Sequence, residues 1–269
     1  MTQAERDAAY NNAAAVADSA TLNQARIAAS AAFRAAPAAV LDCRYGAEER
    51  QAWDLYPAAN PQAPCLVFIH GGYWQMNRRE DFAIIAEGMA AQGWSVALPG
   101  YSLAPAARIG AIVAEIRLAL DWLAAEGQAH GIVGPILLAG WSAGGHLAAM
   151  TLDHPAVTAG LALAGIYDLA PLRDTYLDAK LTLSDAEIAT YSPIRLPAVA
   201  KPLAIAYGSD ELPALINQSR DFAAYRAAAG APGTLIPVAG ANHFTLLDAL
   251  RRPDGALVAV ARDLMAADA

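Results

Sequence analysis

The chain has 269 residues, of which 56% are hydrophobic and 16% are charged, and its formal net charge is −8 at pH 7. This composition excludes disordered and coiled-coil proteins, and the acidic balance argues against nucleic acid as a partner. No uninterrupted apolar run approaches the roughly 18 residues that a membrane span needs. The two cysteines, Cys43 and Cys65, are too few for a disulfide framework. Because the N-terminus lacks the basic stretch and apolar core of an export signal, we expect a cytoplasmic enzyme or binding protein for a small molecule.

Residues 1–40 are rich in alanine, with interruptions at Asn11, Asn12 and Pro37, and they predict an N-terminal extension of short helices. Beyond them, strand-like runs lie at Ala52–Tyr56, Cys65–His70, Ser95–Pro99, Pro135–Gly140, Gly160–Gly165, Leu203–Tyr207 and Thr234–Val238. Helical patterns lie between most of these runs, at Asp81–Gln92, Ala111–Glu126, Gly144–Leu152, Gln218–Ala229 and Leu246–Met265. This alternation predicts a single α/β domain over residues 1–269, with a mostly parallel sheet flanked by helices. Such sheets bind their ligands at the carboxyl ends of the strands.

Segment 168–197 breaks the alternation, since it carries three prolines and several charges and has no strand-like run. It is too long for an ordinary connection between two elements. We interpret it as a short cap or lid inserted over the carboxyl edge of the sheet. An extended surface loop is the alternative.

The strongest motif is Gly140-Trp141-Ser142-Ala143-Gly144, which follows an apolar strand-like run and precedes a helical pattern. A strand, Gly-x-Ser-x-Gly and a helix in this order form a nucleophile elbow, whose strained serine backbone lifts the hydroxyl clear of the sheet. Glycine is needed at both ends of the motif because larger side chains would collide. The motif therefore predicts Ser142 as a nucleophile beside the free amides of a helix N-terminus.

A serine hydroxyl needs a general base, and in elbow enzymes the acid and then the histidine follow the serine along the chain. His146, His154 and His243 satisfy this order. His146 lies on the helix of the elbow, and His154 precedes Pro155 at an expected helix end. His243 follows the last strand-like run through a flexible stretch, so we predict His243 as the base.

The base needs a carboxylate that fixes its tautomer and balances its charge. Asp210 lies just past the strand-like run at 203–207 and is the predicted acid. Glu211 is the alternative, with a longer side chain that begins one position further into the loop. A helix-capping role is the non-catalytic alternative for Asp210.

The run Cys65–Ile69 ends in His70-Gly71-Gly72-Tyr73-Trp74. Glycines at a strand end allow backbone amides to turn towards a ligand. The amides of Gly72 and Tyr73, together with that of Ala143, are therefore predicted to form an oxyanion hole. The His70 ring is interpreted as a support for this loop and not as a base.

These two motifs resemble the α/β-hydrolase fold, and more narrowly the arylformamidase (kynurenine formamidase) group, which is related to the hormone-sensitive-lipase-like esterases. Further matches extend along most of the chain, at residues 10–12, 101–105, 165–169, 191–193 and 242–244. In that family a serine attacks, an acid orients the histidine, and the His-Gly-Gly-x-Trp loop supports the oxyanion. The resemblance assigns these roles to Ser142, Asp210, His243 and the Gly72–Tyr73 amides.

The resemblance implies a serine hydrolase that cleaves an aryl formamide similar to N-formyl-kynurenine, without a cofactor or metal. Trp141 departs from the family pattern, because such elbows more often carry histidine at this position. Tyr73, Trp74, Trp141 and Phe244 are expected to give the pocket apolar walls, with ordinary packing as the alternative.

Two other functions stay open, a short-chain carboxylesterase and a non-catalytic ligand-binding member of the fold. A metal hydrolase is disfavoured because no two histidines stand at ligand spacing. The oligomeric state stays undecided between a monomer and a homodimer.

Overall fold

The computed structural model describes residues 1–35 and 39–266, so the predicted interruption at Pro37 lies outside the described residues. The strands are β1 (Val40–Arg44), β2 (Ala52–Tyr56), β3 (Cys65–Ile69), β4 (Ser95–Pro99), β5 (Ile136–Trp141), β6 (Val157–Leu163), β7 (Leu203–Gly208) and β8 (Gly233–Val238). The helices are α1 (Gln3–Ala9), α2 (Asn12–Ala15), α3 (Ser19–Arg34), α4 (Ala86–Ala90), α5 (Ile109–Glu126), α6 (Ala143–Met150), α7 (Asp178–Leu181), α8 (Asp185–Tyr191), α9 (Pro213–Ala228), α10 (Asp248–Arg251) and α11 (Ala256–Ala266). Short 3-10 helices cover Arg79–Ile85, Gly127–His130, Ala170–Asp174, Pro193–Arg195 and Thr245–Leu247.

Within the described residues, the strands form one eight-stranded sheet in the order β1-β2-β4-β3-β5-β6-β7-β8. β1 pairs with β2, and β2 with β4, in antiparallel fashion, whereas every pair from β4 to β8 is parallel. The predicted mostly parallel sheet flanked by helices is confirmed. The parallel pairs bring the carboxyl ends of β3, β5, β7 and β8 to one edge, where the predicted site residues follow.

The central strands are apolar throughout because helices cover both faces of the sheet. Along β3, Val67 and Ile69 pack into the core on one face, whereas Leu66 and Phe68 pack into the core on the other. All five residues of β3 are buried, while β8 at the edge of the sheet is largely exposed. The core therefore holds the strand ends that carry the site.

Several local expectations differ from the structure. β1 was not predicted, because its alternating half-exposed residues lack a continuous apolar run. The pattern Asp81–Gln92 is a 3-10 helix followed by the short α4, and the pattern Leu246–Met265 is divided by a break before Gly255. Glycine and proline at residues 253–255 interrupt the helical ladder there.

The N-terminal helices pack against the sheet and against segment 168–197. Arg34 of α3 donates from Nε to Asp54 Oδ2 of β2 at 2.7 Å, and Arg26 donates to the carbonyl of Asp81 at 3.1 Å. Segment 168–197 lies between β6 and β7 and contains α7 and α8. Its function as a cap stays a prediction. Among the described residues, no helix is both long and apolar enough to cross a membrane.

Candidate active site

The nucleophile elbow has the strained backbone that its sequence predicts. Ser142 lies between β5 and α6 with φ 57° and ψ −119°, in a region that side-chain-bearing residues rarely adopt. A Cβ atom on Gly144 would lie 2.0 Å from the carbonyl oxygen of Ile69, and one on Gly140 would lie 2.1 Å from that of Gly144. Glycine is therefore required at both positions. This turn presents Ser142 at the N-terminus of α6.

His243 lies in the loop after β8 and is 3% exposed. Its Nδ1 is 2.8 Å from Oε2 of Glu211. An ionised carboxylate only accepts hydrogen bonds, so in a contact with ionised Glu211 the donor is Nδ1, and Nε2 is the ring nitrogen that can act as a base. Asn242 shapes the loop, since its Oδ1 accepts hydrogen bonds from the amides of Phe244 and Thr245.

The acid beside His243 is Glu211, so the prediction of Asp210 is wrong. After β7 the chain turns tightly, and the Asp210 side chain is exposed and accepts a hydrogen bond from the Ser209 hydroxyl. The Glu211 side chain is fully buried and its Oε1 accepts a hydrogen bond from the amide of Gly208 at 2.8 Å. The turn points residue 210 outwards, and the longer side chain of Glu211 reaches back to the imidazole.

The loop after β3 has three consecutive residues with positive φ, at Gly72 (122°), Tyr73 (49°) and Trp74 (58°). Gln75 and Met76 donate their amides to the carbonyl of Gly72, which closes the turn. Among the described residues, the amides of Gly72, Tyr73 and Ala143 have no hydrogen-bond acceptor. Free amides beside a nucleophile are the donors that an oxyanion hole requires.

His70 supports this loop from below, in the role that its sequence position indicates. Its ring is stacked between Tyr101 and Phe82, with ring centroids 4.3 and 5.7 Å away. Its Nδ1 lies 2.9 Å from the carbonyl of Gly71. Burial lowers the pKa of His70 to about 3, so the ring is neutral at physiological pH. A second buried histidine, His146 on α6, has a pKa lowered to about 4 by burial.

Ser142 and His243 line one cavity of about 120 Å³, together with Gly72, Tyr73, Trp141 and Phe244. Trp74 does not line it, which corrects the prediction for this residue. Its indole is fully buried behind the oxyanion loop and packs against the His146 ring in a T-shaped arrangement, with centroids 4.8 Å apart. The left-handed turn of the loop aims successive side chains in different directions, so Tyr73 lines the cavity and the adjacent Trp74 does not.

A wall of the cavity comes from the N-terminal segment, which the sequence-based site prediction did not include. We call it the N-terminal wall, and it consists of Asn11, Asn12, Ala13 and Asn23. The Nδ2 of Asn12 donates to the Tyr73 hydroxyl at 3.2 Å, and that hydroxyl donates to the carbonyl of Tyr10 at 2.6 Å. The family match at residues 10–12 is the one signal in the sequence that pointed to this segment.

Other parts of the described chain offer less chemistry. A cleft of about 310 Å³ beside α9 and β8 has no histidine or carboxylate in its lining. Among the described residues, no three His, Cys, Asp or Glu side chains are grouped so that they could hold a metal ion. The cavity at Ser142 is therefore the candidate active site.

The chain is similar to several known hydrolases. The BD-FAE family model matches residues 53–157, which is less than half of the chain. The kynurenine formamidase of Danio rerio is 26% identical over 227 residues, covering 78% of this chain and 76% of that protein. The crystal structure of a candidate thioesterase from Silicibacter sp. is 30% identical, with a TM-score of 0.85 over 96% of this chain and 99% of the other. The chain belongs to the α/β-hydrolase superfamily, and its sequence is similar to those of kynurenine formamidases and esterases.

This α/β-hydrolase is thus an enzyme that hydrolyses a formamide or an ester. Ester chemistry is represented among its relatives by esterase LipC of Mycobacterium tuberculosis, which is 28% identical over 243 residues and covers 77% of this chain and 60% of that protein.

Proposed function

We propose that this α/β-hydrolase cleaves aryl formamides, with Ser142 as nucleophile, His243 as general base and Glu211 as the acid that orients the base. The observation that supports this proposal most directly is the Glu211–His243 hydrogen bond of 2.8 Å, because His243 and Ser142 line the same cavity. The similarity to kynurenine formamidases supports formamides as the substrate class. We further propose that the enzyme takes part in tryptophan breakdown and works in the cytoplasm.

The reaction proceeds by two acyl transfers. Nε2 of His243 takes the proton of the Ser142 hydroxyl while the oxygen attacks the formyl carbon. The amides of Tyr73 and Ala143 stabilise the negative oxygen of the tetrahedral intermediate, and one such donor is worth about 3 kcal/mol. His243 then protonates the departing nitrogen, and a formyl-enzyme remains. Water deprotonated by His243 releases formate and restores Ser142.

The walls of the cavity favour a flat leaving group. Trp141 and Phe244 supply aromatic faces, and Tyr73 lies on the opposite loop. An aryl amine leaves more readily than an alkyl amine because the ring accepts the nitrogen lone pair. The formyl group is the smallest acyl group, so it suits the small cavity at Ser142.

Short-chain esters are the second candidate substrates, because LipC and other relatives of this chain are named as esterases. An ester requires the same nucleophile, base and oxyanion donors. The two substrate classes differ in the leaving atom, because an amide nitrogen is a poorer leaving group than an ester oxygen and depends more strongly on the proton from His243.

The deciding experiment compares initial rates on formanilide, N-formyl-kynurenine, phenyl acetate and an acetyl thioester, with Ser142→Ala as the blank. We expect both formamides to be hydrolysed, and the substitution to lower kcat by at least about 10⁴-fold. Ser102→Ala, which changes a serine outside the cavity, serves as the matched control. Ester turnover without deformylation would reassign the enzyme to esterases, and an active Ser142→Ala would refute the serine mechanism.

A further inference from the structure

Trp141 connects the nucleophile strand to the loop of the base. It is the last residue of β5, directly before Ser142, and is 3% exposed. Its indole N–H donates to the main-chain carbonyl of His243 at 2.9 Å. Its ring also lies against the imidazole, with centroids 4.7 Å apart and planes inclined by 37°. One side chain therefore contacts both the backbone and the ring of the base.

The other contacts of His243 do not reach the elbow. Glu211 holds Nδ1 of the ring from the turn after β7, and Asn242 stabilises the turn of the loop itself. These contacts set the rotation of the imidazole and the shape of its loop. Trp141 of β5 makes a direct contact between the strand of the nucleophile and the loop of the base.

The indole itself is held from two further sides. The ring of Phe82 lies 5.7 Å from it and that of Phe244 lies 6.1 Å from it, measured between centroids. Because the Trp141 indole is packed between these two rings, it has little freedom to move, and its N–H remains directed at the carbonyl of His243. A rigid support is required because a misplacement of about 1 Å can lower a rate about 100-fold.

We propose that Trp141 is a positioning residue that holds His243 within reach of the Ser142 hydroxyl; this inference rests on the proposed function. The indole acts through the loop and forms no bond to the reacting atoms. Its π face also stabilises the imidazolium that forms when His243 accepts the serine proton, because a cation is attracted to an indole ring at this separation. Trp141 is thus part of the base's support as well as a wall of the cavity.

The first test is Trp141→Phe, which keeps an apolar ring and removes the N–H donor. With formanilide we expect kcat to fall about tenfold or more, with KM changed less than about twofold, because positioning affects the chemical step more than binding. The matched control is Trp122→Phe on α5, a tryptophan outside the cavity that packs against His130. The control should keep kcat within about twofold of the parent enzyme.

The second test measures covalent inactivation by a small p-nitrophenyl phosphonate, which reports the reactivity of Ser142 without an aryl formamide. We expect Trp141→Phe to slow inactivation by the same factor as kcat. If this variant does not fold, the same two measurements are made with benzothienylalanine at position 141. In this residue sulfur replaces the N–H in a ring of the same shape.

Unchanged kcat and inactivation rates, or a higher KM alone, would overturn the positioning role and leave Trp141 as a wall. Retained formanilide activity in Ser142→Ala would instead refute the proposed function. The two failures are therefore distinguishable.

Discussion

The nucleophile elbow and the N-terminal wall border the same cavity, but they are held in place differently. The elbow is fixed by backbone contacts, including the Ser142 amide, which donates to the carbonyl of Leu163 at 2.8 Å. The N-terminal wall is tied to the oxyanion loop by the side chains of Asn12 and Tyr73. A backbone frame tolerates change at most side chains, whereas a side-chain contact is lost with one substitution. The fold therefore fixes the position of Ser142 more firmly than it fixes the shape of the pocket.

A similar contrast separates the base from segment 168–197. His243 is buried and held by a buried carboxylate. In contrast, α1 contacts the segment through exposed groups, since Gln3 and Arg6 donate to the carbonyl of Asp174 and the Tyr176 amide donates to Asp7. Exposed contacts of this kind contribute about 1 kcal/mol or less each. A change in segment 168–197 should therefore disturb the base less than a change at Glu211.

The largest effect is expected at the acid. Glu211→Gln keeps the size of the side chain but removes the charge that balances the imidazolium, so kcat should fall about 10⁴-fold. Asp210→Asn, one position away and exposed, should leave kcat within about twofold. Steady-state kinetics on formanilide measures both. A larger loss in Asp210→Asn than in Glu211→Gln would reverse the assignment of the acid.

An intermediate effect is expected when low pH destabilises the core beneath the elbow. Burial lowers the pKa of His70 to about 3 and that of His146 to about 4, whereas both are near 6.5 in the unfolded chain. The unfolded chain therefore binds more protons below pH 6.5, and stability falls as the pH drops from 6.5 towards 4. At pH 5 the loss should be about 2 kcal/mol for each histidine relative to pH 8.

Urea unfolding at pH 8 and pH 5 measures this loss, and NMR of the imidazole protons isolates the two histidines. Neither ring should titrate between pH 8 and pH 5 in the folded protein. Titration of either ring near pH 6.5 would contradict the buried, neutral state. It would also show that the core beneath the elbow is less rigidly packed than its contrast with the N-terminal wall requires.

The smallest effect is expected at the N-terminal wall. Tyr73→Phe removes the hydroxyl that joins Tyr10 and Asn12, at a cost of about 1 kcal/mol. Amide hydrogen exchange over residues 3–15 should accelerate about fivefold, with a similar decrease in kcat/KM. Tyr191→Phe on α8 is the matched control, because Tyr191 lies outside the cavity and its hydroxyl makes no hydrogen bond to another described residue. Equal exchange rates in the two variants would show that the Tyr73 hydroxyl does not secure the wall.

Sequence patterns predicted the elbow well because its requirements are local. Strand, glycines, serine and helix all lie within a few residues, and the same steric limits that demand Gly140 and Gly144 are visible in the contacts of the structure. The choice between Asp210 and Glu211 could not be predicted in the same way. Both residues follow β7, and only the path of a four-residue turn determines which carboxylate faces His243.

The aromatic residues show the same limit. Trp74 and Trp141 are both tryptophans beside site motifs, yet one is buried behind the oxyanion loop and the other lines the cavity. Composition and hydropathy do not distinguish them, because both positions are apolar. The direction of each side chain depends on backbone torsion angles and on what packs behind it.

The sequence by itself determined the class of sheet and identified Ser142, His243 and the Gly72–Tyr73 loop as candidates for the site, because each is encoded by neighbours along the chain or by hydrophobic periodicity. The tertiary structure decided the acid, the contact of Trp141 with the base, and the asparagine side chains that border the cavity. These features depend on segments that are distant in sequence and meet only after folding. At such distances a side chain that is longer by one carbon, as in Glu211 compared with Asp210, can make a contact that the shorter one cannot.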